Sequence, residues 1–405
     1  MVDLSTLSRS NHLLNSNNRS IDLFSKAFCI YLLSLPLGAL SLPGGFGSVL
    51  KIVALLPLVA WIFCPKCKSL KKENCFHLLW ILLIGTSFAW SISPSNTLDR
   101  FITNFLFLLL IIPLSSLKFE NKHIKMMKRA LVLSSRITLI LALLFASFDY
   151  GRLHFSGILS EDPNYLCCYF SFGVVNIFLS FFSGKNKKYW FLYIFELIAY
   201  FYVILFTGSR GGALAILSAI IVSLFVGSRK NLAFSIFYVI IAFTIGFSLF
   251  FLASKLVPSS VIERFSLQSI IDSDGTGRYE IWEAGISIFK NSSFSRKLLG
   301  YGSGTVREMF LAYGYRGRVM HNIFLETLCE NGLLGLVVYT IMLVQYLIIC
   351  FKRKDAFSLC VLVSMIVLSL STSLYAFKPY WNVMLLIIAV SNIKKPISFN
   401  ANYEK

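Results

Sequence analysis

Two short stretches carry residues whose types and spacing suit proton transfer and the binding of phosphate. In VMHNIFLETLCENGLLG, residues 319–335, His321 stands where a basic polar loop gives way to an apolar helix. A neutral imidazole there can accept a proton from a hydroxyl near pH 7, although the same side chain can equally cap a helix or bond a backbone carbonyl. In FTGSRGGALAIL, residues 206–217, Thr207 and Ser209 are helix N-cap types ahead of a helix expected to begin near Gly211. Its free N–H groups and positive dipole end would hold a phosphate together with the guanidinium of Arg210. An arginine at such a border also snorkels to lipid headgroups. The chain has no GxxxxGK[ST] phosphate loop. Gly332 and Gly335, spaced GxxG, predict close approach of a neighbouring helix that would hold His321 in place.

The elements that must position these residues follow from composition. The 405 residues are 56% hydrophobic, 15% aromatic and only 14% charged, with a mean hydropathy of +0.72. That is a membrane composition, since charged residues approach about a quarter of soluble chains. Crossing about 30 Å of hydrocarbon takes roughly 20 apolar residues as a helix. Such runs recur at 22–41, 47–64, 76–91, 101–117, 130–148, 164–183, 189–207, 212–227, 232–252, 322–350, 356–373 and 380–393. They lack the period-2 alternation of an outer-membrane barrel. The expected fold is therefore all-α, a polytopic membrane protein of about 12 transmembrane helices. Every second connection is basic, among them PKCKSLKKE, KFENKHIKMMKR, GKNKK and FKRKD, while SLPGGFG has no positive charge. The positive-inside bias then places both termini in the cytoplasm. The expected division is a disordered cytoplasmic tail at 1–21, helices 1–9 over 22–252, a large external loop at 253–321, helices 10–12 over 322–393, and a cytoplasmic tail at 394–405.

The large loop is much longer than the others, so a functional or independently folded cap is expected. GRYEIWEAGISIF within it predicts a helix with Ile281, Ala284, Ile286 and Phe289 on one face, and GYGSGT at 300–305 predicts a glycine-rich turn. Arg152, Arg210, Arg278, Arg296, Arg307, Arg316 and Arg318 all fall on the external side, where the bias should deplete them. An anionic ligand outside would account for them. The net charge of +19 is spread over short membrane loops, which argues against nucleic acid as a partner. The nine cysteines are odd in number and irregularly spaced, so no disulfide framework is indicated. Cys64, Cys67, Cys75 and His77 could be drawn as a zinc site but read more simply as residues at helix ends. Asp272 and Asp274 read as a solvated turn. The spans are nearly free of charge apart from Glu196, with Glu326 and Glu330 just below His321 and Arg136 near a cytoplasmic end. A transporter would carry ionisable groups deep in the bilayer.

His321-Asn322, nine residues, then Gly332-Leu333-Leu334-Gly335 resembles the signature of the O-antigen ligase and O-antigen polymerase superfamily. Thr207-Gly208-Ser209-Arg210-Gly211 is similar to that family's arginine motif, and Gly277-Arg278 with Trp282 to its GRxxxW element. The resemblance implies a membrane glycosyltransferase of the bacterial inner membrane, acting at its periplasmic face. The donor would be a glycan on undecaprenyl diphosphate. Arg210 and Arg278 would bind the diphosphate and His321 would take the acceptor proton, with Ser209, Asn322 and Trp282 lining the substrate. It implies no cofactor, nucleotide or metal, inversion at the anomeric carbon, and a chain-length regulator as a possible partner. YGRLHFSGILSEDPNYL resembles a GR…G…DPN segment of polymerase-type members, which favours a polymerase over a ligase. Arg152, His154, Asp162 and Asn164 could line an acceptor groove, while Asp162-Pro163-Asn164 equally reads as a turn before a helix.

Overall fold

The computed structural model describes residues 4–40, 48–64, 74–149, 152–155, 163–183, 187–227, 277–375 and 377–394. The expected run at 232–252 and the first part of the external loop, with Asp272 and Asp274, lie outside them. Helix α1 spans Leu4–Leu33. It is followed by α2 (Val49–Val53), α3 (Leu55–Ile62), α4 (Cys75–Thr86), α5 (Pro94–Ser116) and α6 (Asn121–Phe145). A hairpin of β1 (Ala146–Asp149) and β2 (Arg152–Phe155) leads to α7 (Pro163–Ser183), α8 (Trp190–Phe206) and α9 (Arg210–Gly227). The cap contributes α10 (Arg278–Asn291), α11 (Phe294–Leu299) and α12 (Val306–Ala312). Helices α13 (Ile323–Arg353), α14 (Ala356–Ser369) and α15 (Lys378–Ser391) complete the bundle.

This is a helical membrane protein. Pro94–Ser116, Pro163–Phe182 and Ile323–Arg353 are long and apolar enough to cross a membrane, and Val49–Ile62, Cys75–Trp90, Trp190–Phe206, Arg210–Val226 and Ala356–Ser369 form shorter apolar helices. Helix α9 packs between α7 and α14, α13 against α4 and α14, and α1 against α6.

Four local expectations change. The Ser/Asn-rich tail is not disordered from residue 4 onward: α1 starts at Leu4, because the stretch 4–20 contains no Gly or Pro to stop it. The apolar run 47–64 is two helices, since Pro57 has no N–H for the carbonyl of Val53, where α2 ends. The fold also carries the small antiparallel β1–β2 hairpin, with Asp149 opposite Arg152 and Ser147 opposite His154. In α10 the buried residues are Ala284, Gly285 and Ile288, and Ile286, expected inside, is 36% exposed. Gly285 presses on Met320 and Cys329, which turns the face by one position.

Contacts sort the connections into two ends. At one, Lys122 and His123 pair with Asp22, Lys128 reaches Asp355 at 2.6 Å, and Phe119 bridges Ile393. At the other, Lys378 Nζ donates to the Gly38 carbonyl at 3.0 Å, and the cap docks. Between the ends, Arg136 donates both arms of its guanidinium to Glu196 at 2.8 and 2.9 Å. The exceptional carboxylate of the spans thus has a bidentate partner, as low dielectric requires.

The cap is seated on a break in α13. Gly332, with φ 65° and ψ −167°, lies outside helical space in a region only glycine occupies at low cost. Just above it, the Cys329 and Glu330 carbonyls accept from Tyr301 N (3.1 Å) and Gly302 N (2.8 Å) of the glycine-rich turn. Ser303 Oγ donates to Asn331 Oδ1 at 2.5 Å. A Cβ on Gly332 would collide with the Leu298 carbonyl, and one on Gly300 with the Glu330 carbonyl. The GxxG spacing therefore admits the cap backbone, and the close approach of a neighbouring transmembrane helix expected from it is replaced by this docking. Gly335 instead accommodates Asn331 of its own helix.

Gly332→Ala and Gly300→Ala should each cost at least about 2 kcal/mol in detergent, combining strain with collision. Gly314→Ala shares a φ of 79° but would meet nothing within 4 Å, so it should cost only about 1 kcal/mol. Thermal unfolding followed by tryptophan fluorescence separates the two groups. Equal losses at all three would rule out the backbone approach as the reason for glycine.

Candidate active site

The start of α9 is built by side chains closing on one another. Thr207 Oγ1 donates to the Ile204 carbonyl (2.6 Å) and accepts from Ser209 N (3.2 Å). Ser209 Oγ accepts from Gly212 N at 3.0 Å and donates to Asn164 Oδ1 at 2.7 Å. Ser209 is therefore the N-cap its type suggests, and Asn164, at the start of α7, fixes it from outside. Arg210 is the first residue of α9 and half-buried. Gly211 and Gly212 beside it admit Ser371 of the turn after α14 and Cys167 of α7.

The start of α10 follows the same plan. Gly277, with φ 74°, precedes Arg278, again the first residue of its helix and half-buried. One turn later Trp282 Nε1 donates to the carbonyl of Met320 at 2.9 Å. Trp282 thus locks α10 onto the residue immediately before His321; what it holds is backbone. Arg318 approaches the same point, with Nη1 3.9 Å from where a Gly277 Cβ would stand. Arg316 and Arg318 are exposed and make no ion pair among the described residues.

His321 itself is half-buried with φ 52°, one of two non-glycine residues in the left-handed region among those described. Such a conformation costs about 1–2 kcal/mol in most side chains and persists where the surroundings impose it. Here the imposition is visible on both sides. The Met320 carbonyl is held by Trp282, and Asn322 Oδ1 accepts from Phe324 N (3.0 Å) and Leu325 N (3.1 Å) as the N-cap of α13. Asn322, expected to contact substrate, has its side-chain oxygen engaged as a cap.

Beneath His321 lies a buried ionic cluster that residue spacing did not reveal. Arg100 Nη2, from the second turn of α5, is 3.3 Å from Glu326 Oε1 and 3.7 Å from Glu330 Oε1, both carboxylates being almost wholly buried. The Tyr375 ring covers the guanidinium at 4.5 Å. Ser373 Oγ donates to Glu326 Oε2, and Val306 N, at the start of α12, donates to Glu330 Oε1 at 3.2 Å. Glu326 and Glu330 were visible as charges below His321. Their partner was hidden because Arg100 lies more than 200 residues away in sequence.

Within the cap, Tyr301 is bonded to Ser292 (2.6 Å) and Tyr313 (2.5 Å) under the guanidinium of Arg296. Burial pushes its phenol up to about 12, so it stays protonated across physiological pH. Arg152 and His154 lie on β2, and Asp162 is outside the described residues. Of the drawn zinc set, Cys67 is also outside them. His77 Nδ1 is bonded to the Tyr346 hydroxyl at 2.5 Å, and Cys64 donates to the Ser20 carbonyl at 3.3 Å.

Three helix starts therefore sit at one end of the bundle. The ties are explicit: Ser209 to Asn164, Gly211 against Ser371, Ser373 to Glu326, and Trp282 to Met320. Two of the starts carry an arginine at the positive end of a helix dipole, an arrangement that favours anions. The third carries an imidazole. Residues 195–340 match the family model described as O-Antigen ligase, a stretch that contains Arg210, Arg278 and His321. No curated protein matches the chain.

If the left-handed backbone at position 321 is imposed, His321→Gly should be more stable than His321→Ala by about 1 kcal/mol, although both lack the ring. Melting curves of the two variants in detergent decide it. The reverse order would mean that the backbone relaxes once the imidazole is gone.

Proposed function

We propose that this chain, whose residues 195–340 match the family model described as O-Antigen ligase, is a glycosyltransferase that polymerises lipid-linked repeat units of a surface polysaccharide. The observation that carries the reading is the placement of two arginine-bearing helix starts and His321 at one end of the bundle. The donor is a glycan joined to undecaprenyl diphosphate, and the acceptor is a sugar hydroxyl on a second lipid-linked glycan. His321 takes the hydroxyl proton as the oxygen attacks the anomeric carbon. The bond to the phosphate oxygen breaks with inversion, and the electron pair leaves on undecaprenyl diphosphate. Arg210 and Arg278 meet the negative charge that develops there, a task for which a planar bidentate guanidinium is better shaped than an ammonium. The reaction faces the periplasm of the bacterial inner membrane, and a chain-length regulator is a candidate partner.

Polymerase and ligase share this chemistry and differ in acceptor. The description of the matched family favours a ligase, which would transfer the chain to the lipid A core. The start of α7 supports a polymerase: its Asn164, the last residue of the polymerase-like DPN triplet, is bonded to the cap residue of the Arg210 helix on the diphosphate side of the proposed site.

Purified protein given lipid-diphosphate-linked repeat units alone should lengthen them, which gel electrophoresis of the glycans would show. Transfer only after addition of lipid A core would replace the polymerase with a ligase. Movement of the lipid across vesicles without any transfer would make the protein a transporter. His321→Ala should lower the rate about 10²- to 10⁴-fold, and Arg210→Ala and Arg210→Lys should both be severely impaired while still inserting in the membrane. Near-normal product from any of these would remove that residue from the mechanism.

A further inference from the structure

The Arg100 cluster lies below the candidate catalytic groups, and its branches lead to both halves of the site. One branch runs from Arg100 to Glu326 and, through Glu326 Oε2, to the hydroxyl of Ser373. The 371–375 turn that carries Ser373 is held from the other side by Tyr165, whose hydroxyl donates to the Ser373 carbonyl at 2.9 Å. Two residues earlier, Ser371 packs on Gly211, next to Arg210. The other branch runs from Arg100 to Glu330 and the backbone N–H of Val306, and so to the cap that presents Arg278. At the α13 end, Glu326 N donates to the Asn322 carbonyl at 2.9 Å, so Glu326 stands one turn below the residue that follows His321.

A purely structural ion pair would not need this arrangement. Two carboxylates share one guanidinium, and the contacts of 3.3 and 3.7 Å are long for ideal ion pairs. Replacing such buried clusters by apolar residues is often neutral or stabilising in other proteins. What this cluster offers beyond stability is register. Each carboxylate takes a further donor from a different segment, and these segments carry the other parts of the site.

We propose that Glu326, clamped by Arg100 and bonded to Ser373, is a positioning residue that sets His321 at a fixed place relative to Arg210. The proposal rests on the glycosyltransferase reading for its effect on rate, but the linkage itself is a property of the fold. The Glu326–Ser373 bond ties α13, which begins two residues after His321, directly to the turn that seats the Arg210 helix; Thr327 and Tyr375 form a second side-chain tie one residue further along α13 and two further along the turn. Its removal changes no catalytic side chain and loosens the tie nearest to His321, with the Thr327–Tyr375 contact left intact.

Ser373→Ala removes that hydroxyl with little change in volume, and Ser373→Thr keeps it. In the polymerisation assay Ser373→Ala should lower kcat about 10- to 100-fold with KM for the donor unchanged, and Ser373→Thr should restore most of it. In hydrogen exchange read by mass spectrometry, Ser373→Ala should speed exchange of the amides at 209–213 and 321–326 together, with Ser373→Thr close to wild type. Glu326→Gln, which can still accept from Ser373 but lacks the charge held by Arg100, should fall between. Wild-type kcat in Ser373→Ala, or unchanged exchange at both helix starts, would overturn the proposal. If the wild-type protein transfers no sugar at all, the glycosyltransferase reading fails, and the exchange experiment alone then decides the linkage.

Discussion

A transmembrane helix cannot stop part-way without leaving carbonyls that have no water to bond. In hydrocarbon each unsatisfied group costs several kcal/mol, so a break persists only where another segment supplies donors. Helix α13 breaks at Gly332, and the Tyr301 and Gly302 amides bond the carbonyls of Cys329 and Glu330 above it. This constraint couples cap and membrane core. The turn can reach the break only because glycine stands at 300 and 332, where any Cβ would strike backbone. Once the turn is seated, α11 lies along α13 and α10 packs on its first turns, and Trp282 finds the Met320 carbonyl. The unusual backbone of His321 is thus a downstream consequence of a helix that had to be repaired from outside.

The electrostatics of this end of the bundle are divided by depth. Basic residues occupy the helix starts, and carboxylates lie one to two turns below. Left unpaired, Glu326 and Glu330 would repel a phosphate arriving at those starts, since two like charges interact strongly where water is excluded. Arg100 faces both carboxylates, and hydroxyl and backbone donors take further lone pairs. Their field is partly spent locally. On the proposed reading, the buried pair can then lie close beneath the diphosphate without cancelling the guanidinium groups that would bind it.

Much of this was legible in the sequence, and the failures share a cause. Helix positions followed from apolar runs of sufficient length, and the role of Ser209 followed from a local rule, because a cap involves neighbours three residues apart. Asn164 was visible as a polar residue ahead of a helix, but its bond to Ser209 spans 45 residues and has no periodicity to read. The pairing of Arg100 with Glu326 was not foreseen, for the same reason. The two glycines of α13 were read as a helix–helix contact because that is what GxxG most often means inside an apolar run. Distinguishing it from a break requires φ, which spacing does not encode. The long α1 was missed because polar composition was taken for disorder, whereas a helix ends only where something stops it.

The positions of these residues along the chain separate two tasks. Arg210, Arg278 and His321 all fall within 195–340, the stretch that matches the family model described as O-Antigen ligase. Of the residues that hold them, Ser209, Trp282, Asn322 and Glu326 fall within it, and Arg100, Asn164 and Ser373 fall outside it. On the proposed reading, bond breaking at a lipid diphosphate demands one charge arrangement, and different acceptors demand different walls. Acceptor choice on that reading then falls to a segment outside the matched stretch, the β1–β2 hairpin. That hairpin contacts both α6 and α8, so the wall it would form is anchored in helices independent of the cap. An acceptor could therefore be exchanged by altering this wall while the break in α13, the seating of the cap and the geometry of the three helix starts stay as they are.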